Sequence, residues 1–154
     1  MADRQIIVRW MCTCMIILMA WVCLGPENVS AAEKLTVKVS IANMRSGPGT
    51  GYDVLWQVEK YHPFIVKEKK GSWVKIEDFE GDMAWIHDSL LTSVEGVITY
   101  KTNCNVRSEP STDSRILFTV EKGVPFRVIK RQGDWIHIEH ADGEKGWIYH
   151  TLVW

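Results

Sequence analysis

Net charge, cysteine and helical periodicity are all scarce in this chain of 154 residues. Its 18 Lys and Arg face 19 Asp and Glu, a formal charge of −1. Neutralising phosphates takes a basic face, so this balance argues against a sequence-independent nucleic-acid binder and against a polybasic membrane-surface protein. The runs Lys67-Glu68-Lys69-Lys70 and Lys130-Arg131 are mixed with acids or isolated, and read as solvated hairpin loops. Of the 4 cysteines, Cys12, Cys14 and Cys23 stand near the start and only Cys104 follows. Beyond the first 32 residues no intramolecular disulfide can form. Cys104 lies two residues before Val106 in an extended run, on the same face as a core position, and reads as a buried, inert thiol. No segment keeps an apolar spacing of three and four, so helix is limited to a turn or two.

Long apolar runs are confined to one place. Trp10 to Leu24 carries no charge; Arg4 and Arg9 precede it, Gly25-Pro26 breaks it, and Ser30-Ala31-Ala32 offers a small-residue cleavage site. This three-part pattern predicts an export signal over residues 1–32, cleaved after Ala32. Fifteen helical residues reach roughly 22 Å, short of the ~30 Å hydrocarbon core, which strains the alternative of a permanent anchor. Contact with the membrane is expected only through this segment if it stays uncleaved. A lipid attached at Cys23 is disfavoured by the bulky Val22 before it.

The remainder is one unit written twice. A shift of 62 positions lays Asn43 on Asn105, Arg45 on Arg107, Ser46 on Ser108, Pro48 on Pro110 and Leu55 on Leu117 without a gap. The register holds through Pro63-Phe64 on Pro125-Phe126, Gly71-x-Trp73 on Gly133-x-Trp135, Gly81-x-x-x-Trp85-Ile86 on Gly143-x-x-x-Trp147-Ile148, and Leu90 on Leu152. A tandem duplication follows, copy one over 33–93 and copy two over 97–154. Units this short bury little surface alone, so packing between the copies is expected.

Inside each copy the period is two. Val74 and Ile76, like Ile136 and Ile138, alternate with polar residues and point to one side, the core. Phe64 and Val66, with Phe126 and Val128, are expected inside, and Ile65 and Arg127 outside. Turn signals such as Ser46-Gly47-Pro48-Gly49, Glu80-Gly81-Asp82 and Gln132-Gly133-Asp134 separate the runs. Five or six short strands per copy follow, and small antiparallel barrels suit them because closure removes exposed edges. The fold class is therefore all-β, two tandem barrels after an N-terminal signal helix.

Asn43-Met44-Arg45-Ser46-Gly47-Pro48 and Asn105-Val106-Arg107-Ser108-Glu109-Pro110, each followed by Gly-x-Trp and Gly-x-x-x-Trp-Ile, resemble the bacterial SH3 (Src-homology-3-like) domain. The resemblance covers nearly all of residues 36–154. It implies a small β-barrel module of exported or surface proteins, often joined to cell-wall hydrolases and bound to peptidoglycan or a peptide. No hydrolase accompanies the two modules in this sequence. Any activity they guide is then expected on another chain.

Trp73 and Trp135 fall on the non-core parity of their strands and lead the ligand-contact candidates, an indole offering flat apolar area and one N–H donor. Arg45 and Arg107 can reach a carboxylate through paired guanidinium bonds, or can cover a neighbouring Trp by cation–π stacking and bond loop carbonyls. Asn43 and Asn105 read as loop-fixing residues bonding local backbone. Trp85 and Trp147 are accounted for by packing across the barrel end. Leu90 and Leu152 stand where eukaryotic relatives place an aromatic wall, which argues against Pro-rich peptides. Copy one carries Tyr52, Trp56, Tyr61, His62 and Phe79 against Ser114, Phe118, Gly123, Val124 and Ala141 in copy two. These rings serve either a glycan-contacting face on copy one or the interface between copies.

Catalytic, metal and cofactor readings lack the residues they need. Cys104 has neither helix N-terminus nor adjacent His to lower its pKa. His137 and His140, three apart on an extended chain, face opposite ways. Gly47-x-Gly49-x-Gly51 precedes no Lys-Ser/Thr pair and no helix. The sequence reads as an exported, non-enzymatic binding module for peptidoglycan or another envelope component. Its rivals are a scaffold subunit docking an envelope protein through an added strand, and an adaptor for a separate hydrolase.

Overall fold

Alternating apolar and polar residues favour strands, and the computed structural model, which describes residues 32–154, has two antiparallel sheets and two single 3₁₀ turns among them. The expected export segment lies outside the described residues. Within them, no helix is long and apolar enough to cross a membrane.

Copy one comprises β1 (Lys34–Val37), β2 (Ile41–Arg45), β3 (Val54–Glu59), β4 (Pro63–Lys70), β5 (Trp73–Glu77), β6 (Met83–His87) and β7 (Leu91–Thr92), paired in the order β3-β2-β6-β5-β4-β1-β7. Copy two comprises β8 (Gly96–Ile98), β9 (Cys104–Arg107), β10 (Ile116–Val120), β11 (Pro125–Gln132), β12 (Trp135–Glu139) and β13 (Lys145–Tyr149), in the order β10-β9-β13-β12-β11-β8. Element by element the second order repeats the first. The strand count exceeds the expected five or six in copy one because Leu91 and Thr92 pair with Val37 and Thr36. In copy two the same contact shrinks to the bridge Thr99–Val153, beside reciprocal Ile98–Trp154 backbone bonds of 3.2 and 2.9 Å.

The sheets bend at duplicated places. Register shifts between Val66 and Glu68 and between Val128 and Lys130, and again near Leu55 and Leu117, mark β-bulges that add twist and help each sheet curl around its own core. Phe64, Ile76 and Ile86 fill one core and Phe126, Ile138 and Ile148 the other, all 0–1% exposed. Val74 and Ile136 are buried as expected. Val66 and Val128, expected inside, are half-buried beside the bulges and pack on the core margin. Arg127 stands on the wet face, ion-paired with Glu139.

The described residues belong to a single compact unit, so the barrels pack together. Thr36 Oγ1 donates to Val94 O at 2.8 Å, and Lys34 Nζ lies 4.7 Å from the ring centroid of Trp154. Gly96 sits where a Cβ would come within 2.6 Å of both Thr36 Cγ2 and Tyr61 O. The barrel itself does not demand a glycine here, since the equivalent residue in copy one is Lys34. It is the neighbouring barrel that excludes a side chain.

Candidate functional site

Arg45 and Arg107 each end a strand, opposite Trp85 and Trp147 in register. Arg45 Nη1 donates to Thr50 O at 3.0 Å and to Tyr52 O at 2.8 Å, and Arg107 Nη1 donates to Ser114 O at 2.7 Å. Each arginine thus ties down the loop that follows its strand. The alternative of stacking on Trp is not what the structure shows: the cations over Trp rings among the described residues are Lys34 on Trp154 and Lys130 on Trp147. Asn43 also differs from expectation, its Oδ1 accepting from the Gln57 side chain at 2.8 Å instead of from local backbone.

The tethered loop walls a groove. In copy one the groove has a volume of about 320 Å³ and its lining includes Asn43, Arg45, Thr50, Trp73, His87 and Leu90. In copy two the lining is Asn105, Arg107, Thr112, Trp135, Tyr149 and Leu152, with a volume of about 330 Å³. These are the same six positions, 62 apart. Trp73 and Trp135 are half-buried on the floor strands β5 and β12. Each meets a second ring edge-on at a centroid distance of 5.3 Å, Trp73 with His87 at 87° and Trp135 with Tyr149 at 76°. Such T-shaped contacts hold an indole in place while leaving part of its surface wet.

The second ring carries the difference between grooves. His87 Nδ1 accepts from Ser89 N at 3.3 Å and lies 2.8 Å from Ser89 Oγ and 3.3 Å from Asp88 Oδ1. Tyr149 Oη donates to Asp134 Oδ2 at 3.2 Å, and that carboxylate holds the phenol above its ordinary pKa. Groove one therefore has an imidazole and a hydroxyl at its rim, where groove two has a phenol.

The copy-one aromatics are not brought to one face. The Tyr52 ring lies over Gly47, so close that a Cβ there would come within 2.4 Å of it. Tyr61, with φ of 71°, sits at the junction, its carbonyl beside Gly96. Trp56 is half-buried and lines a separate cleft with His62 and Phe79, against Gly123, Val124 and Pro125 of copy two. The sequence reading missed Thr50, Thr112, His87 and Tyr149. Their signal was present: Thr50 and Thr112 are identical at the offset, and His87 and Tyr149 are both planar rings on the non-core parity.

Residues weighed for catalysis have structural surroundings. Cys104 is 1% exposed, burial pushes its thiol up, and Sγ donates to Lys101 O at 3.0 Å. His137 stacks on Trp147 at 4.8 Å and is held below the ordinary His range, first by burial and then by Lys130 and Lys145. His140 pairs with Asp142 at 2.9 Å.

A model of the bacterial SH3 domain matches residues 38–92 and 100–154. The chain belongs to the bacterial SH3 domain family. YrvJ of Bacillus subtilis, named as a candidate N-acetylmuramoyl-L-alanine amidase, is 29% identical over 123 residues, covering 68% of this chain and 23% of YrvJ. LytH of Staphylococcus epidermidis, named as a probable cell wall amidase, is 39% identical over 59 residues, covering 36% of this chain and 20% of LytH. The chain thus spans less than a quarter of the length of these curated relatives. A crystal structure of an NlpC/P60 family protein from Bacillus cereus aligns with a TM-score of 0.37 and 17% identity, covering 79% of this chain and 55% of that one.

Proposed function

We propose that the chain is a binding module of the cell envelope, working outside the cytoplasmic membrane, that holds peptidoglycan or an envelope peptide in its two grooves and breaks no bond itself. The observation that carries this reading is the convergence of the same six repeated positions on two grooves of nearly equal volume, each floored by a half-exposed Trp. The indole face suits the apolar side of a sugar or a methyl-bearing peptide side chain. Arg45 and Arg107 spend Nη1 on the loop, and among the described residues their Nε and Nη2 have no hydrogen-bond partner, which suits a ligand carboxylate. The names of the amidase relatives supply the wall as the source of both groups.

A second reading rests on a different observation. The edge strands β3 and β10 expose Val54 and Leu55, and Ile116 and Leu117, each 40–49% exposed. An exposed apolar edge accepts an added strand from a protein partner, with the module then acting as a scaffold.

Co-sedimentation of the chain with purified sacculi separates the two readings. Saturable binding is expected, weakened by Trp73→Ala or Trp135→Ala and abolished in the double variant with its fold verified by circular dichroism. Binding unchanged in the double variant, but lost when Leu55 and Leu117 are replaced by Lys, overturns the groove reading in favour of the edge.

A further inference from the structure

The arginine, tryptophan and asparagine of each groove leave hydrogen-bond donors unpaired. Arg45 and Arg107 use Nη1 on the loop, and Asn43 spends its Oδ1 on Gln57, which leaves its amide N–H groups to the groove. Among the described residues, the buried side-chain nitrogen and oxygen atoms without a partner are His62 Nε2 and His137 Nδ1. The unpaired Nε and Nη2 of both arginines and the indole N–H groups of Trp73 and Trp135 are therefore open to solvent. Neither lining contains an acid. The carboxylates beside the rim are engaged there, Asp88 with His87 at 3.3 Å and Asp134 with Tyr149 at 3.2 Å.

The unpaired guanidinium edge is one that elsewhere in the chain holds a carboxylate. Arg127 donates through Nε and Nη2 to Glu139 Oε2, and Arg131 through the same two nitrogens to Glu95 Oε1. This edge presents two parallel N–H groups, and a carboxylate accepts without donating. A sugar hydroxyl, by contrast, brings a proton that needs an acceptor. A groove with a cation, further donors and no acid in its lining thus suits a carboxylate better than a glycan strand. The volumes of about 320 and 330 Å³ lie at the low end for small-ligand sites, which favours the end of a peptide over a chain running through.

We propose that each groove binds the free C-terminal carboxylate of a peptide on the Nε–Nη2 edge of Arg45 or Arg107, with the last side chain set on the indole of Trp73 or Trp135. The proposal rests on the grooves being the binding site and names which part of the ligand they read. A peptide whose terminal carboxylate has been joined in an amide bond offers no charge to the guanidinium and is disfavoured. In a cross-linked polymer the module then gathers where peptide ends remain unjoined.

The test follows the indole N–H resonances of the full chain in titrations with acetyl-alanyl-alanine, with its C-terminal amide, and with acetyl-alanyl-glutamate amide, whose carboxylate is on the side chain. Trp73 and Trp135 are expected to shift saturably with the first peptide and about tenfold more weakly with the other two. Arg45→Lys keeps the charge but loses the paired N–H edge, and is expected to weaken the Trp73 response about tenfold while Trp135 in the same molecule responds as before. The comparison of acid with amide in the unaltered chain needs no variant, so a disturbed loop in Arg45→Lys does not decide the outcome. Equal affinity for acid and amide overturns the proposal in favour of an apolar contact, and equal affinity for the glutamate peptide overturns it in favour of any carboxylate. A response to a neutral N-acetylglucosamine oligomer and not to the acid overturns it in favour of a glycan, and no response to any probe overturns it outright. Sacculus binding that depends on Trp73 and Trp135, without a response to the acid, leaves the groove reading standing and removes the carboxylate. A response to the acid in a chain that fails to bind sacculi upholds the carboxylate and removes the wall as its source.

Discussion

Copy one places His87, Tyr61 and His62 at backbone positions where copy two has Tyr149, Gly123 and Val124, and the strands beneath them run in the same order and bulge at the same residues. The duplication has therefore kept the barrel and varied its surface. Two kinds of variation are visible. At His87 and Tyr149 a planar ring is retained and only its polarity changes, because the position braces the groove Trp. At the junction the changes are steric: Gly96 replaces the Lys34 of copy one because the neighbouring barrel leaves no room, and Tyr61 accepts a left-handed φ that Gly123 adopts freely.

The sharpest way to break this comparison is at Gly96. Gly96→Val drives a side chain into Thr36 and the Tyr61 carbonyl, and is expected to cost about 3 kcal/mol, read as a fall in the thermal midpoint. Lys34→Val at the matching place in copy one loses the contact with Trp154 but meets no clash, and should cost no more than about 1 kcal/mol. Equal effects at the two sites contradict a junction imposed by packing between barrels.

Acid tests the next difference. His62 is neutral when folded, with a pKa near 4 against 6.5 for the free side chain, so between those values the unfolded chain binds more protons. The stability due to its neutral burial is complete above pH 6.5 and is lost as pH falls towards 4, a loss on the order of 2–3 kcal/mol. His62→Val, which restores the residue of copy two, should flatten that part of the profile in chemical denaturation. An unchanged pH profile would count against burial of a neutral ring.

Exchanging the groove rings sharpens the functional side. His87→Tyr and Tyr149→His together should exchange the ligand preferences of the grooves, seen as interchanged shifts of the Trp73 and Trp135 indole signals, with stability altered by less than about 1 kcal/mol. A small change of the opposite sign is expected from Tyr61→Gly, a gain of about 0.5–1 kcal/mol from relief of the positive φ.

The fold was legible in the sequence because two signals agreed. Period-two alternation marked Val74, Ile76, Ile136 and Ile138 as core, and the 62-residue offset located the turns twice over. Trp73 and Trp135 were legible by parity alone. What escaped was whatever depends on a third element. Thr50 and Thr112 lie on turn signals, and only the arginine tether makes them groove wall. The pairing of His87 with Tyr149 was hidden because matching by identity does not equate an imidazole with a phenol. The split of Tyr52, Trp56 and Tyr61 among a loop, a cleft and a junction depends on where the second barrel packs, which composition does not encode.

Binding of cell-wall material by the two Trp-floored grooves is the proposal from which the other functional expectations follow. It is tested most directly by titrating the chain with soluble muropeptides and following all indole N–H resonances together. Saturable shifts are expected at both Trp73 and Trp135, with Trp85 and Trp147 unmoved. Saturable binding that leaves both Trp73 and Trp135 unperturbed would contradict it.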